Sequence, residues 1–72
     1  MLYQSLIGKK VKYYAGVKYN PNFQKVYKGE ELTITGVDVK LKMLVLETKS
    51  GEVWKLAPLD VRYLNNRKVK IY

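Results

Sequence analysis

The chain contains no cysteine, no histidine, only two prolines, and no acidic residue in its first 28 positions. Without cysteine no disulfide can staple the fold, and a zinc site lacks its usual ligands. The six acids, Glu30, Glu31, Asp38, Glu47, Glu52 and Asp60, are too scattered for a calcium loop. Histidine is the usual proton shuttle near neutral pH, so Ser5 and Ser50 have no histidine to activate them. Glu30 and Glu31 are adjacent and would point to opposite faces of a strand, which spoils them as a catalytic pair. The five glycines stand singly, so there is no glycine-rich phosphate loop. These absences argue against an enzyme, a cofactor or a metal.

Long apolar runs are missing too. The longest is MLVL, Met43 to Leu46, far short of the roughly 20 residues that a spanning helix needs. The opening MLYQSLIGKK has no basic region ahead of an apolar one, so it does not read as a signal peptide. No amphipathic helix accompanies the charge, which argues against a membrane surface. A cytoplasmic protein is the expectation.

What remains is apolar, aromatic and basic. Seventy-two residues make one domain, 1–72, and a chain this short buries only about 60 % of its unfolded surface. Stability must come from the 47 % of residues that are apolar, seven tyrosines among them. A tyrosine in a thin β-core packs its ring inward and lets its hydroxyl reach water. Net charge is +8 and unevenly placed. Residues 1–28 hold six lysines and no acid, residues 29–61 hold four lysines against all six acids, and residues 62–72 hold four cations and no acid. Both ends are purely basic. If the fold brings them together, they form one strongly positive face.

Alternation decides the fold class. In KKVKYY, Val11 and Tyr13 share one face while Lys10, Lys12 and Tyr14 share the other, as in a strand with one buried side. ELTITGV puts Leu32 and Ile34 together, MLVL is apolar on both faces like a central strand, and EVWKLA pairs Trp54 with Leu56. Trp54 reads as core. YNPNF lies within a long polar connection, Gly29 breaks the chain, and KSGE reads as a tight hairpin with Gly51 free to take positive φ. APLD suits a short 3-10 turn, with Asp60 expected to cap it, and LNNRK turns the chain again.

The resulting order is strand, long loop, strand, short loop, strand, tight hairpin, strand, 3-10 turn, strand. It resembles the SH3-like superfamily across residues 9–64. The resemblance implies an all-β fold, a small five-stranded barrel with a short 3-10 turn before the last strand, followed by a basic tail at 65–72. An OB-type barrel is the competitor, but it usually carries a helix after its third strand. In SH3-like barrels the first and last strands are neighbours, which would merge the two basic ends.

Lysines interleaved with aromatics on a β-surface can neutralise phosphates while rings stack on bases. The candidate nucleic-acid-binding residues are Lys9, Lys10, Lys12, Tyr14, Lys18, Tyr19, Arg62, Arg67, Lys68 and Lys70. Twelve of the fourteen cations are lysine, which acts as a point charge, so binding of DNA or RNA with low sequence specificity is expected. VYKGEE, Val26 to Glu31, resembles the small basic chromatin proteins of archaea, and the whole chain resembles KOW-type domains. Both resemblances imply nucleic-acid contact without assigning it to particular residues. The competing reading is a protein-interaction module, of the kind phages encode to bind and modulate a host protein. Polyproline recognition fits poorly, because the long loop 15–28 carries only basic charge. A monomer or a weak homodimer formed through a strand edge is expected.

Overall fold

Period-2 patterning and turn residues place five of the seven strands among the described residues, all but the two inside the long first connection. The computed structural model describes residues 5–70. Its strands are β1 (Lys10–Tyr13), β2 (Val17–Tyr19), β3 (Lys25–Tyr27), β4 (Glu31–Asp38), β5 (Met43–Glu47), β6 (Val53–Leu56) and β7 (Val61–Tyr63). The fold is all-β. Five strands form one antiparallel sheet in the order β6-β5-β4-β1-β7, and β2 pairs with β3 alone. The sheet is open: β6 and β7 are its two edges and do not pair with each other. Among the described residues no helix is long and apolar enough to cross a membrane.

One face of the sheet carries the core. Directly opposed residues on an antiparallel sheet share a face, so Tyr63, Val11 and Leu32 form one row, and Trp54, Leu46 and Ile34 form another. All six of these side chains belong to the core cluster, Tyr63 at its margin, and Trp54 is buried with its indole N–H donating to Glu52 at 3.4 Å. The hairpin β2–β3 adds Val26, and Leu6 and Val69 join from beyond the 9–64 span. The last segment is therefore more than a solvated tail. Asn65 and Asn66 turn it back after β7, Arg62 and Lys68 form an isolated bridge, and Val69 packs inside.

A bulge in β4 departs from plain alternation. Ile34 lies opposite Leu46 and Gly36 opposite Val45, so Thr35 is an extra residue on the β4 side. The inward set consequently changes parity, from Leu32 and Ile34 before the bulge to Val37 after it, and Val37 packs on the core opposite Leu44. Simple alternation continues to Gly36 and misses this switch.

Turn chemistry closes the connections. Gly51 has φ +91° in the tight turn where Thr48 accepts from its N–H at 3.0 Å and donates its own N–H to the Glu52 carbonyl at 2.9 Å. The 3-10 turn spans Pro58–Asp60, directly before β7. Its N-cap is Ala57, with no side-chain cap. The expected cap from Asp60 does not form, because Asp60 stands at the C-terminal end of the turn, where its carbonyl accepts the Tyr14 N–H at 2.7 Å.

The long first connection carries order that its polar sequence hides. Asn20 Oδ1 accepts the N–H groups of Asn22 and Gln24 at 2.9 and 3.1 Å, and the Asn20 N–H reaches the Gln24 carbonyl at 3.0 Å. This Asx-type knot fixes a five-residue reversal and pairs Val17 with Tyr27, Lys18 with Val26 and Tyr19 with Lys25.

Two outcomes follow from the packing. Leu46→Ala empties a fully buried position and lowers the unfolding free energy by about 2–5 kcal/mol in urea titration, whereas Val53→Ala, on the exposed face of β6, changes it by under about 0.5 kcal/mol. Equal losses would contradict the assignment of faces. The second outcome concerns Tyr13, whose phenol is held above its usual 10.0, first by burial and then by the charge of Asp60. A raised pKa means that the stabilising contribution is complete below pH 10.0 and disappears as pH climbs through the folded value. Tyr13→Phe therefore shifts alkaline unfolding, followed by circular dichroism, to higher pH, and an unchanged or lower midpoint would refute the cause.

Candidate nucleic-acid interface

The pairing of β1 with β7 sets the first and last basic segments side by side. Lys12 is directly opposite Arg62 on one flank and Glu31 on the other, and Arg62 in turn bridges to Lys68. One row across the outer face therefore reads Glu31, Lys12, Arg62, Lys68. The next row reads Val53, Glu47, Thr33, Lys10. Lys9 precedes β1 on the exposed surface, Arg67 lies in the turn after β7, and Lys70 is exposed beyond Val69.

This face is basic without being purely so. Glu31 accepts from Lys10 at 3.5 Å and lies 4.0 Å from Lys49, which comes from the β5–β6 turn. A solvent-exposed pair contributes about 0–1 kcal/mol, so Lys10 can exchange this carboxylate for another anion. Lys55 is tied to Asp38 at 3.1 Å, and Asp38 is held below its usual 3.8, first by the Leu41 N–H and then by Lys55. Among the described residues, Lys9, Lys12, Lys18, Arg62, Arg67, Lys68 and Lys70 form no ion pair with a carboxylate.

Lys12 and Arg62 are like charges on neighbouring strands, a mildly destabilising arrangement. Arg62 is drawn aside. Its Nη1 donates to the carbonyls of Leu59 and Val61, each at 3.1 Å, and its guanidinium carbon lies 4.3 Å from the Tyr14 ring centroid. Lys28 Nζ approaches the same ring at 5.4 Å. Tyr14 is thus 47 % exposed with two cations around it, rather than packed inward.

Lys18 and Tyr19 lie apart from this row, on β2. Tyr19 points outward, while Lys18 is on the face that carries Val26. Three residues that composition alone left unassigned belong here. Lys25 Nζ is 5.9 Å from the Tyr19 centroid and 5.6 Å from that of Tyr27, and Lys28 follows Tyr27 in the chain. The Lys25 ammonium is favoured above its usual 10.5, chiefly by its interaction with the Tyr27 side chain. A signal for Tyr27 was present: VKY and KVY, triplets of the same composition, flank NPNFQ.

No concave pocket opens among the described residues. No family model, curated protein or solved structure matches this chain.

Glu31 ends the cationic row, opposite Lys12 and within reach of Lys10 and Lys49, whereas Glu52 lies in the β5–β6 turn next to Trp54. Glu31→Gln therefore elutes from a heparin column at higher salt than Glu52→Gln does, although both remove one charge. Identical elution would mean that the field is not focused on this face.

Proposed function

We propose that the chain is a non-enzymatic SH3-like β-module that holds nucleic acid by its phosphate backbone with low sequence specificity. The observation that carries the reading is the β1–β7 pairing, which aligns Lys12, Arg62 and Lys68 in a single row. Three features support the SH3-like part. The first and last main strands are neighbours, a single 3-10 turn immediately precedes the last strand, and a hairpin fills the long first connection. The bulge at Thr35 bends β4 in the way a small sheet needs in order to wrap its core.

The chemistry is counterion release. Phosphates drawn to clustered cations displace condensed ions, and affinity falls steeply as salt rises. Lysine-dominated contact gives little base discrimination, because the bidentate reading of guanine depends chiefly on arginine geometry. Arg62, the better-placed of the two arginines, already spends its fork on carbonyls and on Tyr14. A second reading, recognition of a protein partner, draws on the exposed β6 edge and the outward Val53.

Fluorescence anisotropy with a labelled mixed-sequence oligonucleotide separates the two readings. Binding at micromolar protein in about 50 mM salt, with a log–log salt slope of about −3, is the expected result for three to four neutralised phosphates. Lys12→Glu with Lys68→Glu weakens binding about tenfold or more, while Lys40→Glu with Lys42→Glu, in the β4–β5 turn, weakens it by under about threefold. A flat signal would put the protein partner first.

A further inference from the structure

We infer that the outward face of the β2–β3 hairpin is a stacking platform for unpaired bases, so that the polynucleotide this protein takes is single-stranded. The inference rests on the nucleic-acid reading above and adds a second contact of a different kind, ring on base rather than cation on phosphate.

The hairpin wears its side chains the wrong way round for a solvated loop. A two-stranded ribbon lying on a core ordinarily turns polar residues to water. Here Val17, Tyr19, Lys25 and Tyr27 all face outward, while Lys18 shares the inner face with the buried Val26. Tyr19 is 57 % exposed and Tyr27 is 51 % exposed, with Lys25 standing between the two rings. At the tip Phe23 is 83 % exposed and adopts φ +60°, a backbone conformation strained for a bulky side chain. The Asn20 knot holds it there, its carbonyl accepting the Phe23 N–H at 2.9 Å. Folding alone rewards neither the exposure of that ring nor its backbone conformation.

Charge selects the occupant. No acid lies in residues 1–28, and the Glu30 carboxylate is engaged by the Tyr27 backbone N–H at 3.3 Å. Exposed aromatics with lysines interleaved fit a ligand that presents flat rings along an anionic backbone. A duplex hides its bases in its own stack, leaving only phosphates to such a face, whereas a single strand presents both. Tyr14, held between Lys28 and Arg62, continues the same pattern from the hairpin towards the β1–β7 row.

The test compares three probes of equal length: an oligothymidylate, an abasic strand with the same phosphates, and a mixed-sequence duplex. Wild-type protein is expected to bind oligothymidylate at least about tenfold more tightly than the abasic strand. It is also expected to prefer oligothymidylate to the duplex, against the duplex's higher charge density. Tyr19→Ala with Tyr27→Ala removes that preference and leaves the salt slope unchanged, while Tyr19→Phe with Tyr27→Phe retains it. Phe23→Gly relieves the backbone, so it raises the melting temperature yet weakens oligothymidylate binding about threefold or more. Equal affinity for the abasic and base-bearing strands, preference for the duplex, or alanine variants that bind like wild type would each overturn the inference while leaving the phosphate reading intact. Failure to bind any of the three probes would bring down both.

Discussion

The hydrogen-bonded pairing of β1 with β7 is the constraint on which the rest of the molecule depends. It joins positions roughly fifty residues apart in the chain, a costly loop closure in so small a domain. In return it puts Val11 against Tyr63 and Tyr13 against Val61, so the same contact that unites the chain ends also completes the apolar face. The turn before β7 is locked into the arrangement as well, since the Tyr14 N–H is satisfied by the Asp60 carbonyl. Core closure and pooling of charge are consequences of one register.

That register carries a tension. It sets Lys12 beside Arg62 where apolar or oppositely charged neighbours would hold the strands together better. The structure relieves part of the repulsion by turning Arg62 onto Tyr14 and onto two carbonyls, and by leaving Glu31 on the far side of Lys12. On the proposed function, an incoming phosphate would relieve the residual repulsion. Stability given up at a surface row is a common mark of a binding face, in contrast to the compensated Lys55–Asp38 pair at the other end of β4.

Much of the fold was legible in the sequence because burial follows alternation outside the β4 bulge. Val11, Tyr13, Leu32, Ile34, Trp54 and Leu56 fall on the inner face as their spacing requires, and Gly51 and Pro58 mark the turns they suggest. Three features were hidden, each for a physical reason. The bulge at Thr35 is a register event that no single strand encodes, since it exists only relative to β5. The β2–β3 hairpin was masked by three-residue strands, too short for alternation to register, and by a reversal that depends on the Asn20 side chain. Val69 belongs to the core only because two asparagines turn the basic tail back on itself. For the site, the β1–β7 row followed from topology, but the Glu31 contacts to Lys10 and Lys49 bring together residues that are far apart along the chain. The tyrosines divide by position: Tyr13 is core, while Tyr14, Tyr19 and Tyr27 stay at the surface among cations.

An amide-resolved NMR titration of the protein with an oligonucleotide tests the central claim most directly, because it asks where the anion lands. The largest shifts are predicted to trace β1, β7 and the Arg62–Lys68 bridge, with Lys12 and Tyr14 among the first to move and the β2–β3 hairpin shifting with them, while amides of the Val39–Lys42 turn stay still. Shifts centred on that turn or on β6, or shifts spread evenly over every lysine-bearing surface, would contradict it.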